Sequence, residues 1–275
     1  MKKMIGFAAL AFAVAFAGTA AVPVRAELTV EEQEAAKQKK AEEAARQSEA
    51  AKAAAKEAQT ETEADGPVVA IDPGHQTPGL SEGVEPVAPG SETMKARVAV
   101  GTSGSFTGLG EYELNLQVSL KLRDELENRG YRVVMTRETN DVDISNMERS
   151  QLAQEAGAEI LVRIHANGSD DSSVSGALMV VPSEQNPYTA DIYSECIRLS
   201  GDILNAYCEK TGMINCDFWV TDDMTGINWS EIPVTILEMG FMTNEGDDYY
   251  MADESNQYIM AEGIADGIDA YFGRQ

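Results

Sequence analysis

The sequence predicts an α/β fold: a single open, mostly parallel sheet flanked by helices and preceded by a helical or flexible tether. Short apolar runs of strand length alternate with longer amphipathic segments between residues 67 and 272, which is typical of a parallel sheet covered by helices. The 275 residues, of which 43% are hydrophobic, suffice for one substantial globular domain and additional segments. The stretch before residue 67 is polar and supplies the predicted tether.

The first 26 residues have the features of an export signal. Two lysines precede an apolar run from Met4 to about Val22, and a small-x-small cleavage motif ends at Ala26. We therefore predict a signal peptide over residues 1–26 and an exported mature chain. The apolar run, about 18 residues long, approaches the length of a membrane span, so an uncleaved signal anchor is the alternative.

Residues 27–66 form the predicted tether. They consist almost entirely of Ala, Glu, Lys, Gln and Thr, with no aromatic residue. Such a composition favours a solvated helix but gives it no face to bury, so we expect a semi-rigid spacer. A coiled-coil helix is the sharper alternative, although alanine would then have to fill its core positions. The remainder, residues 67–275, is predicted to be one folded domain.

Strand and helix patterns follow the tether in a regular order. The run Pro67 to Ile71 suits a buried strand because it is short, apolar and followed by a turn. Leucine or valine then recurs at every fourth position from Leu114 to Leu126, which predicts an amphipathic helix over Glu111 to Arg129. The other predicted strands are 131–136, 158–165, 176–181 and 233–238, and the other predicted helices are 146–156, 188–210 and 258–272.

The charge balance excludes one class of function. The chain has 21 Lys and Arg against 46 Asp and Glu, which gives a net charge of -25. Nucleic-acid binding depends on basic residues that neutralise phosphates. We therefore predict no nucleic-acid partner.

Histidine is scarce, and both histidines occupy the same kind of position. His75 follows the first predicted strand, and His165 ends another. Ligands of open α/β sheets bind beyond the carboxyl ends of the strands, so the two imidazoles could converge there. A single histidine at a strand end is more often a hydrogen-bonded surface residue. The presence of both at such ends makes the two interpretations about equal.

Two glutamates complete a candidate zinc site. A catalytic zinc ion with two histidine ligands takes a third protein ligand and keeps an open water position. Glu111 begins a helix after a long loop and is the candidate ligand, although on pattern alone it is more simply a helix-start acid. Glu238 ends a buried strand and is the candidate general base and proton donor. A solvent-facing strand-end acid is its alternative.

Four sequence motifs that contain these candidate residues occur in order along the predicted domain. The motifs are Ile71-Asp72-Pro73-Gly74-His75, Glu111-Tyr112-Glu113-Leu114-Asn115-Leu116, Arg163-Ile164-His165-Ala166-Asn167 and Leu237-Glu238-Met239-Gly240-Phe241-Met242-Thr243-Asn244. This ordered set resembles the motifs of the family 3 N-acetylmuramoyl-L-alanine amidases, and the similarity extends over roughly Pro67 to Phe272. Four ordered motifs are a specific signal, whereas Pro-Gly-His alone would be weak.

The resemblance implies an activity and the roles of the site residues. Members of this family are zinc hydrolases that cut the amide between the lactyl group of muramic acid and the first L-alanine of the peptidoglycan stem. By the same resemblance, His75, Glu111 and His165 are the expected ligands of one Zn²⁺ per domain, and Glu238 is the expected catalytic acid/base. Glu113 competes for the ligand role, but Glu111 has the spacing to the following asparagine that the motif requires.

Three further residues, Arg149, Arg163 and Asn167, are expected to support the site or to contact substrate. Arg163 departs from the family pattern, in which a small residue usually precedes Ile-His-Ala-Asn. By strand alternation it shares a face with His165. We predict that Arg163 pairs with an acid such as Asp72, and contact with a substrate carboxylate is the second interpretation.

The long segment 76–110 also departs from the family pattern. It is rich in Gly, Pro, Ser and Thr and replaces the shorter glycine-rich stretch expected after Pro-Gly-His. A loop of this length in a compact domain is usually functional or mobile. We expect it to line the substrate groove.

Together these observations predict a secreted, cell-wall-associated enzyme whose partner is peptidoglycan. The sequence contains no recognisable folded wall-binding module and identifies no activator. A zinc peptidase or deacetylase that acts on another wall bond is one alternative. A non-catalytic peptidoglycan-binding or regulatory protein on an amidase scaffold is the other, and the four filled catalytic positions argue against it.

Overall fold

The structure is a computed structural model that describes residues 39, 46 and 66–274. The predicted signal peptide and nearly all of the predicted tether lie outside the described residues, so the structure does not bear on them. Within the described part of the chain, no helix combines the length and the apolar character needed to cross a bilayer.

Residues 66–274 contain eight strands and six helices. In chain order the strands are β1 (Val68–Pro73), β2 (Val84–Pro86), β3 (Met94–Ala96), β4 (Arg132–Met135), β5 (Ile160–Asn167), β6 (Ala177–Val181), β7 (Asn215–Val220) and β8 (Val234–Phe241). The helices are α1 (Glu111–Asn128), α2 (Asn146–Glu155), α3 (Tyr193–Thr211), α4 (Thr225–Asn228), α5 (Glu245–Ala252) and α6 (Glu254–Phe272).

Six of the strands form one open sheet in the order β4-β1-β5-β8-β6-β7, and β2 and β3 form a separate antiparallel hairpin. The first four strands of the sheet run parallel, β6 is antiparallel to β8, and β7 is parallel to β6. Buried apolar side chains form one cluster on each face of the sheet. The predicted open, mostly parallel sheet flanked by helices is therefore confirmed.

The central strands form because their sequences are apolar on both faces. All six residues of β1 are buried, and the first five residues of β5 are buried as well. Such continuous burial is typical of parallel strands that are covered by helices on both sides. The two strands pair along their length, with Asp72 opposite Arg163. Their carboxyl ends therefore open at the same edge of the sheet.

Several elements differ from the sequence prediction, and local hydrogen bonds account for two of the differences. Helix α6 begins at Glu254, four residues before its predicted start, because the side chain of Asp253 caps it by accepting from the amides of Ser255 and Asn256. Helix α3 begins only at Tyr193, since turns occupy residues 188–192. The hairpin β2–β3, strand β7 and helices α4 and α5 were not predicted.

Helices α3 and α6 pack against each other through a glycine. A Cβ atom on Gly267 of α6 would overlap the Cα atom of Ile203 and would lie 2.8 Å from the carbonyl oxygen of Asp202, both on α3. These are backbone atoms, which cannot turn away as a side chain can. Gly201, on α3, is different, because its Cβ would meet only the edge of the Phe218 ring at 3.9 Å.

Gly267→Ala is expected to lower the free energy of unfolding by about 1–3 kcal/mol, because the added methyl group forces the two helices apart. Gly201→Ala is the matched control, and it should be neutral or stabilising by up to about 1 kcal/mol because alanine favours the helix. Urea denaturation of both variants measures the difference. Equal effects of the two substitutions would contradict this account of the packing.

Candidate active site

His75 lies directly beyond the carboxyl end of β1. Its backbone has a left-handed φ of 59°, which is uncommon for a residue with a side chain. Its ring Nδ1 is 2.8 Å from the carbonyl oxygen of Ala99. The preceding Gly74 leaves room for the site, since a Cβ atom there would overlap the ring of His165. Strand end and glycine together place the two rings against each other, with centroids 4.7 Å apart.

Glu111 is the first residue of α1, and its side chain is buried and held by hydrogen bonds. Its Oε2 accepts from the amide of Thr102 at 2.8 Å, and its Oε1 accepts from the amide of Ala166 at 3.2 Å and from Asn115 Nδ2 at 3.3 Å. Burial alone would raise the pKa of Glu111, but its contacts with His165 and His75 outweigh burial and hold the pKa well below its usual range. Glu111 is therefore a fixed carboxylate.

His165, on β5, faces the same carboxylate. Its Nδ1 is 3.1 Å from Glu111 Oε1. Its Nε2 is buried and has no hydrogen-bond partner in the described part of the chain. Burial lowers the pKa of His165 to about 4 despite the opposing contact with Glu111, so the ring is neutral at neutral pH. A neutral imidazole is the form that binds a metal.

The contact between His75 and Glu111 indicates a cation site. Nδ1 of His75 faces a carbonyl oxygen, which only accepts hydrogen bonds, so we assign the ring proton to Nδ1. In the neutral ring Nε2 then presents a lone pair to Glu111 Oε1, only 3.0 Å away. Two acceptors at this distance need a proton or a metal ion between them. The ligand atoms of His75, Glu111 and His165 lie within 4.8 Å of one another, and this donor set fits Zn²⁺.

Glu238, on β8, stands beside this cluster. It is the register partner of His165 on the neighbouring strand and lines the same cavity. Its Oε2 is buried without a hydrogen-bond partner among the described residues. Burial, and then the charge of Glu111, raise the pKa of Glu238 to about 8. A cation held by the cluster would oppose both effects and favour the carboxylate.

The cavity in front of these residues has a volume of about 510 Å³. Asn167 lines it, and the Asn167 Oδ1 accepts from the amide of Gly168 at 2.8 Å. Residues of segment 76–110 line it as well, through Gly101 and Thr102. Glu113 does not reach the cluster, because its Oε2 accepts from the amide of Gly110 at 3.1 Å and caps α1.

Behind the cluster, one aspartate is shared by two buried arginines. Asp72 accepts from Arg149 Nη1 and from Arg163 Nε, each at 2.6 Å, and all three side chains are almost fully buried. Burial would raise the pKa of Asp72, but the two guanidinium groups outweigh it and hold the pKa far below its usual range. Arg163 thus pairs with Asp72, as the first interpretation of its sequence position predicted.

Arg149 and a third arginine, Arg137, also hold the turn that carries His75. Arg149 donates to the carbonyl oxygens of Pro73 at 2.8 Å and His75 at 3.0 Å. Arg137, also buried, donates to the carbonyl oxygens of Pro73 at 2.8 Å and Gly74 at 3.0 Å. Sequence analysis did not assign a role to Arg137, to Ala99 or to Thr102. Arg137 stands next to the Thr136 that also binds Asp72, whereas the roles of Ala99 and Thr102 rest on their backbone groups.

A cluster of two histidines and one glutamate at the open edge of a parallel sheet, with a second glutamate beside it, is an arrangement that suits a metal-dependent hydrolase. The model of the N-acetylmuramoyl-L-alanine amidase family matches residues 69–270. The chain belongs to this family, the family 3 cell-wall amidases, as its four sequence motifs predicted.

Comparison with individual proteins agrees with this assignment. The chain is 28% identical over 207 residues to the uncharacterized protein YqiI of Bacillus subtilis, covering 70% of this chain and 94% of that one. It is 25% identical over 162 residues to the probable cell wall amidase LytH of Staphylococcus aureus, covering 59% of this chain but only half of LytH. The solved amidase Ami1 of Mycobacterium smegmatis shares its fold, with a TM-score of 0.68 at 22% identity, over 78% of this chain and all of Ami1.

Glu111→Gln is expected to reduce the zinc bound per chain to below about a tenth of the wild-type amount at equal free zinc, because the amide cannot supply an anionic ligand. Glu113→Gln is the matched control, two residues further along the same helix, and should bind zinc as the wild type does. Elemental analysis after equilibration in buffered zinc measures both. Zinc retention by Glu111→Gln, or equal losses in both variants, would contradict the ligand assignment.

Asp72→Asn is expected to lower the free energy of unfolding by about 3–5 kcal/mol at pH 7, because it leaves buried arginines without their shared anion. The pKa of Asp72 in the folded protein lies below its unfolded value of about 3.9. The charge of Asp72 therefore contributes fully to the free energy of unfolding above about pH 3.9, and this contribution is lost as the pH falls below that value. The difference from wild type should therefore be constant from about pH 7 to 5 and shrink below about pH 4.

Urea denaturation across this pH range measures the effect, with the exposed Asp191→Asn as control. A deficit in Asp72→Asn that stays the same size down to the lowest pH would show that its charge is not what stabilises the fold.

Proposed function

We propose that the protein is a zinc-dependent N-acetylmuramoyl-L-alanine amidase that acts on peptidoglycan outside the cell. The bond it cuts is the amide between the lactyl group of muramic acid and the first L-alanine of the stem. The observation that carries this proposal is the convergence of His75, Glu111 and His165 on one point. Beside it lies the Glu238 carboxyl group, whose Oε2 is buried and has no hydrogen-bond partner among the described residues. Family membership supplies the substrate class.

The residues divide into those that hold the metal ion and one that moves a proton. His75, Glu111 and His165 would hold the zinc ion. When bound, zinc supplies a positive charge that makes water acidic near neutral pH and polarises a carbonyl group. Two neutral imidazoles and one carboxylate leave the site with a charge of about +1, which suits the stabilisation of an oxyanion.

Glu238 provides the acid–base chemistry. Its carboxylate accepts a proton from the attacking water as the water oxygen bonds to the lactyl carbonyl carbon. The same carboxyl group then donates that proton to the alanine nitrogen as the carbon–nitrogen bond breaks. The products are a lactyl carboxylic acid and a stem peptide with a free amine. Without a cation nearby, burial raises the pKa of this carboxyl group to about 8, and a bound cation would lower the pKa again. A carboxyl group in this range can both accept and donate the proton.

Export is the second part of the proposal. It rests on the predicted signal peptide over residues 1–26, with its cleavage motif ending at Ala26. Peptidoglycan lies outside the cell membrane, so an enzyme with this substrate must reach that compartment. N-terminal sequencing of the protein recovered from the culture medium or wall tests it, and a retained N-terminus in the membrane fraction would favour the signal-anchored form.

The bond and the metal are tested together by digestion of whole peptidoglycan. The purified protein is incubated with zinc and, separately, with a chelator, and mass spectrometry identifies the released fragments. Stem peptides with a free L-alanine amine, released only with zinc, are the expected result. Cleavage of another bond would indicate the peptidase or deacetylase alternative. Intact peptidoglycan in every sample would favour the non-catalytic alternative.

Glu238→Gln is expected to reduce turnover by about 10²–10⁴-fold while it keeps its zinc, because the amide can neither accept nor return the proton. Glu231→Gln, an exposed glutamate just before β8, is the matched control and should retain wild-type turnover. Release of stem peptide per bound zinc measures both variants. Turnover by Glu238→Gln within a few fold of the wild type would overturn the assigned role.

A further inference from the structure

A second cavity, of about 230 Å³, lies beside the two histidines and is lined partly by cations. It shares His75 and His165 with the larger cavity but contains neither Glu238 nor Asn167 among its lining residues. Lys95 and Arg163 line it instead. Asp223, which pairs with Lys95, lines it as well. Two basic side chains at one cavity are nevertheless notable in a chain with a net charge of -25. The two cavities meet at the metal-binding cluster, so a substrate that spans the cluster would reach into both.

Arg163 directs one nitrogen into this smaller cavity. Its Nε binds Asp72 at 2.6 Å, and its Nη2 binds Asn146 Oδ1 at 2.7 Å. These two hydrogen bonds use Nε and Nη2 but not Nη1, in a side chain that is only 3% exposed. Gly226 gives Nη1 its space, because a Cβ atom at Gly226 would overlap it. The donor is thus held in place and available to a ligand.

Lys95 brings the second cation from the hairpin β2–β3. The hairpin is fixed to the domain, because Trp229 Nε1 donates to the carbonyl oxygen of Pro86 at 2.9 Å. Lys95 Nζ donates to the carbonyl oxygen of Asp223 at 2.6 Å and contacts its carboxylate at 2.7 Å. The Asp223 side chain is 70% exposed, so its carboxylate can turn into solvent when another anion enters. Such an exposed pair is weak.

We propose that this cavity binds the α-carboxylate of the second stem residue, D-glutamate, so that Lys95 and Arg163 determine the preferred stem. This inference rests on the proposed function and extends it. The muramic acid side of the scissile amide has no anionic group nearby, since its carboxyl group forms that amide. The nearest carboxylate lies on the peptide side, on the second residue, which continues the stem through its γ-carboxyl group.

The size of the cavity agrees with this occupant. Two extended residues span about 7 Å, which is the reach from the scissile nitrogen to the second residue. A cavity of about 230 Å³ holds a group of one or two residues, whereas the cavity of about 510 Å³ on the other side suits the larger sugar. A carboxylate between a lysine and an arginine gains charge-assisted hydrogen bonds that the corresponding amide, D-isoglutamine, lacks.

The test compares two soluble substrates, N-acetylmuramoyl-L-alanyl-D-glutamate and its D-isoglutamine analogue, with the zinc-loaded full chain. The wild type is expected to prefer the acid by about tenfold in kcat/KM. In Lys95→Met the ratio of the two kcat/KM values should fall to near one. Lys121→Met, on α1 and away from both cavities, is the matched control and should keep the wild-type ratio.

A binding measurement separates this inference from the proposed function. Calorimetry on Glu238→Gln protein compares L-alanyl-D-glutamate with L-alanyl-D-isoglutamine, and tighter binding of the acid, lost on adding Lys95→Met, is expected. If the wild type cleaves neither these substrates nor whole peptidoglycan, the proposed function is wrong. The binding comparison alone then decides the preference of the cavity. Equal rates and equal binding of acid and amide, or a preference unchanged in Lys95→Met, would overturn the inference.

Discussion

The site depends on the close contact between Nε2 of His75 and Oε1 of Glu111, which are 3.0 Å apart. Backbone groups enforce this arrangement. The carbonyl oxygen of Ala99 lies 2.8 Å from Nδ1 of His75, and the amides of Thr102 and Ala166 fix the Glu111 carboxylate. Such groups, which orient metal ligands without touching the metal, are as much part of a metal site as the ligands. Without a proton or a metal ion between these two atoms the contact would be repulsive, so the surrounding structure favours a positive charge here.

Much of the buried polar structure serves to hold that arrangement. The carbonyl oxygens of residues 73–75 are bound by Arg137 and Arg149, and Asp72 accepts hydrogen bonds from both Arg149 and Arg163. Burying several charges is costly, and a buried ion pair is weak evidence for stability by itself. Here the network fixes a turn in which His75 has a left-handed backbone, a conformation that persists only where its surroundings impose it.

The sequence predicted the parts of the molecule that have a periodic or motif signal. The central strands and α1 were identified from apolar residues that were continuous or recurred at every fourth position. Strand alternation placed Arg163 on the face of His165, and its predicted pairing with an acid such as Asp72 is present. The hairpin β2–β3 and strand β7 escaped prediction because β2 and β3 are three residues long and nearly all of β7 is exposed, so neither has a buried periodic face. The contacts of Ala99 with His75 and of Thr102 with Glu111 could not be predicted from the sequence, because they use backbone atoms that every residue has.

The central claim is that His75, Glu111 and His165 together bind one zinc ion. Anomalous diffraction at the zinc absorption edge, from crystals of the zinc-loaded protein, tests it most directly. We predict a single strong peak per chain, bonded to a nitrogen of each histidine and to a carboxylate oxygen of Glu111, in front of Glu238. A well-ordered protein with no peak at these residues, or with its zinc bound elsewhere, would contradict the account.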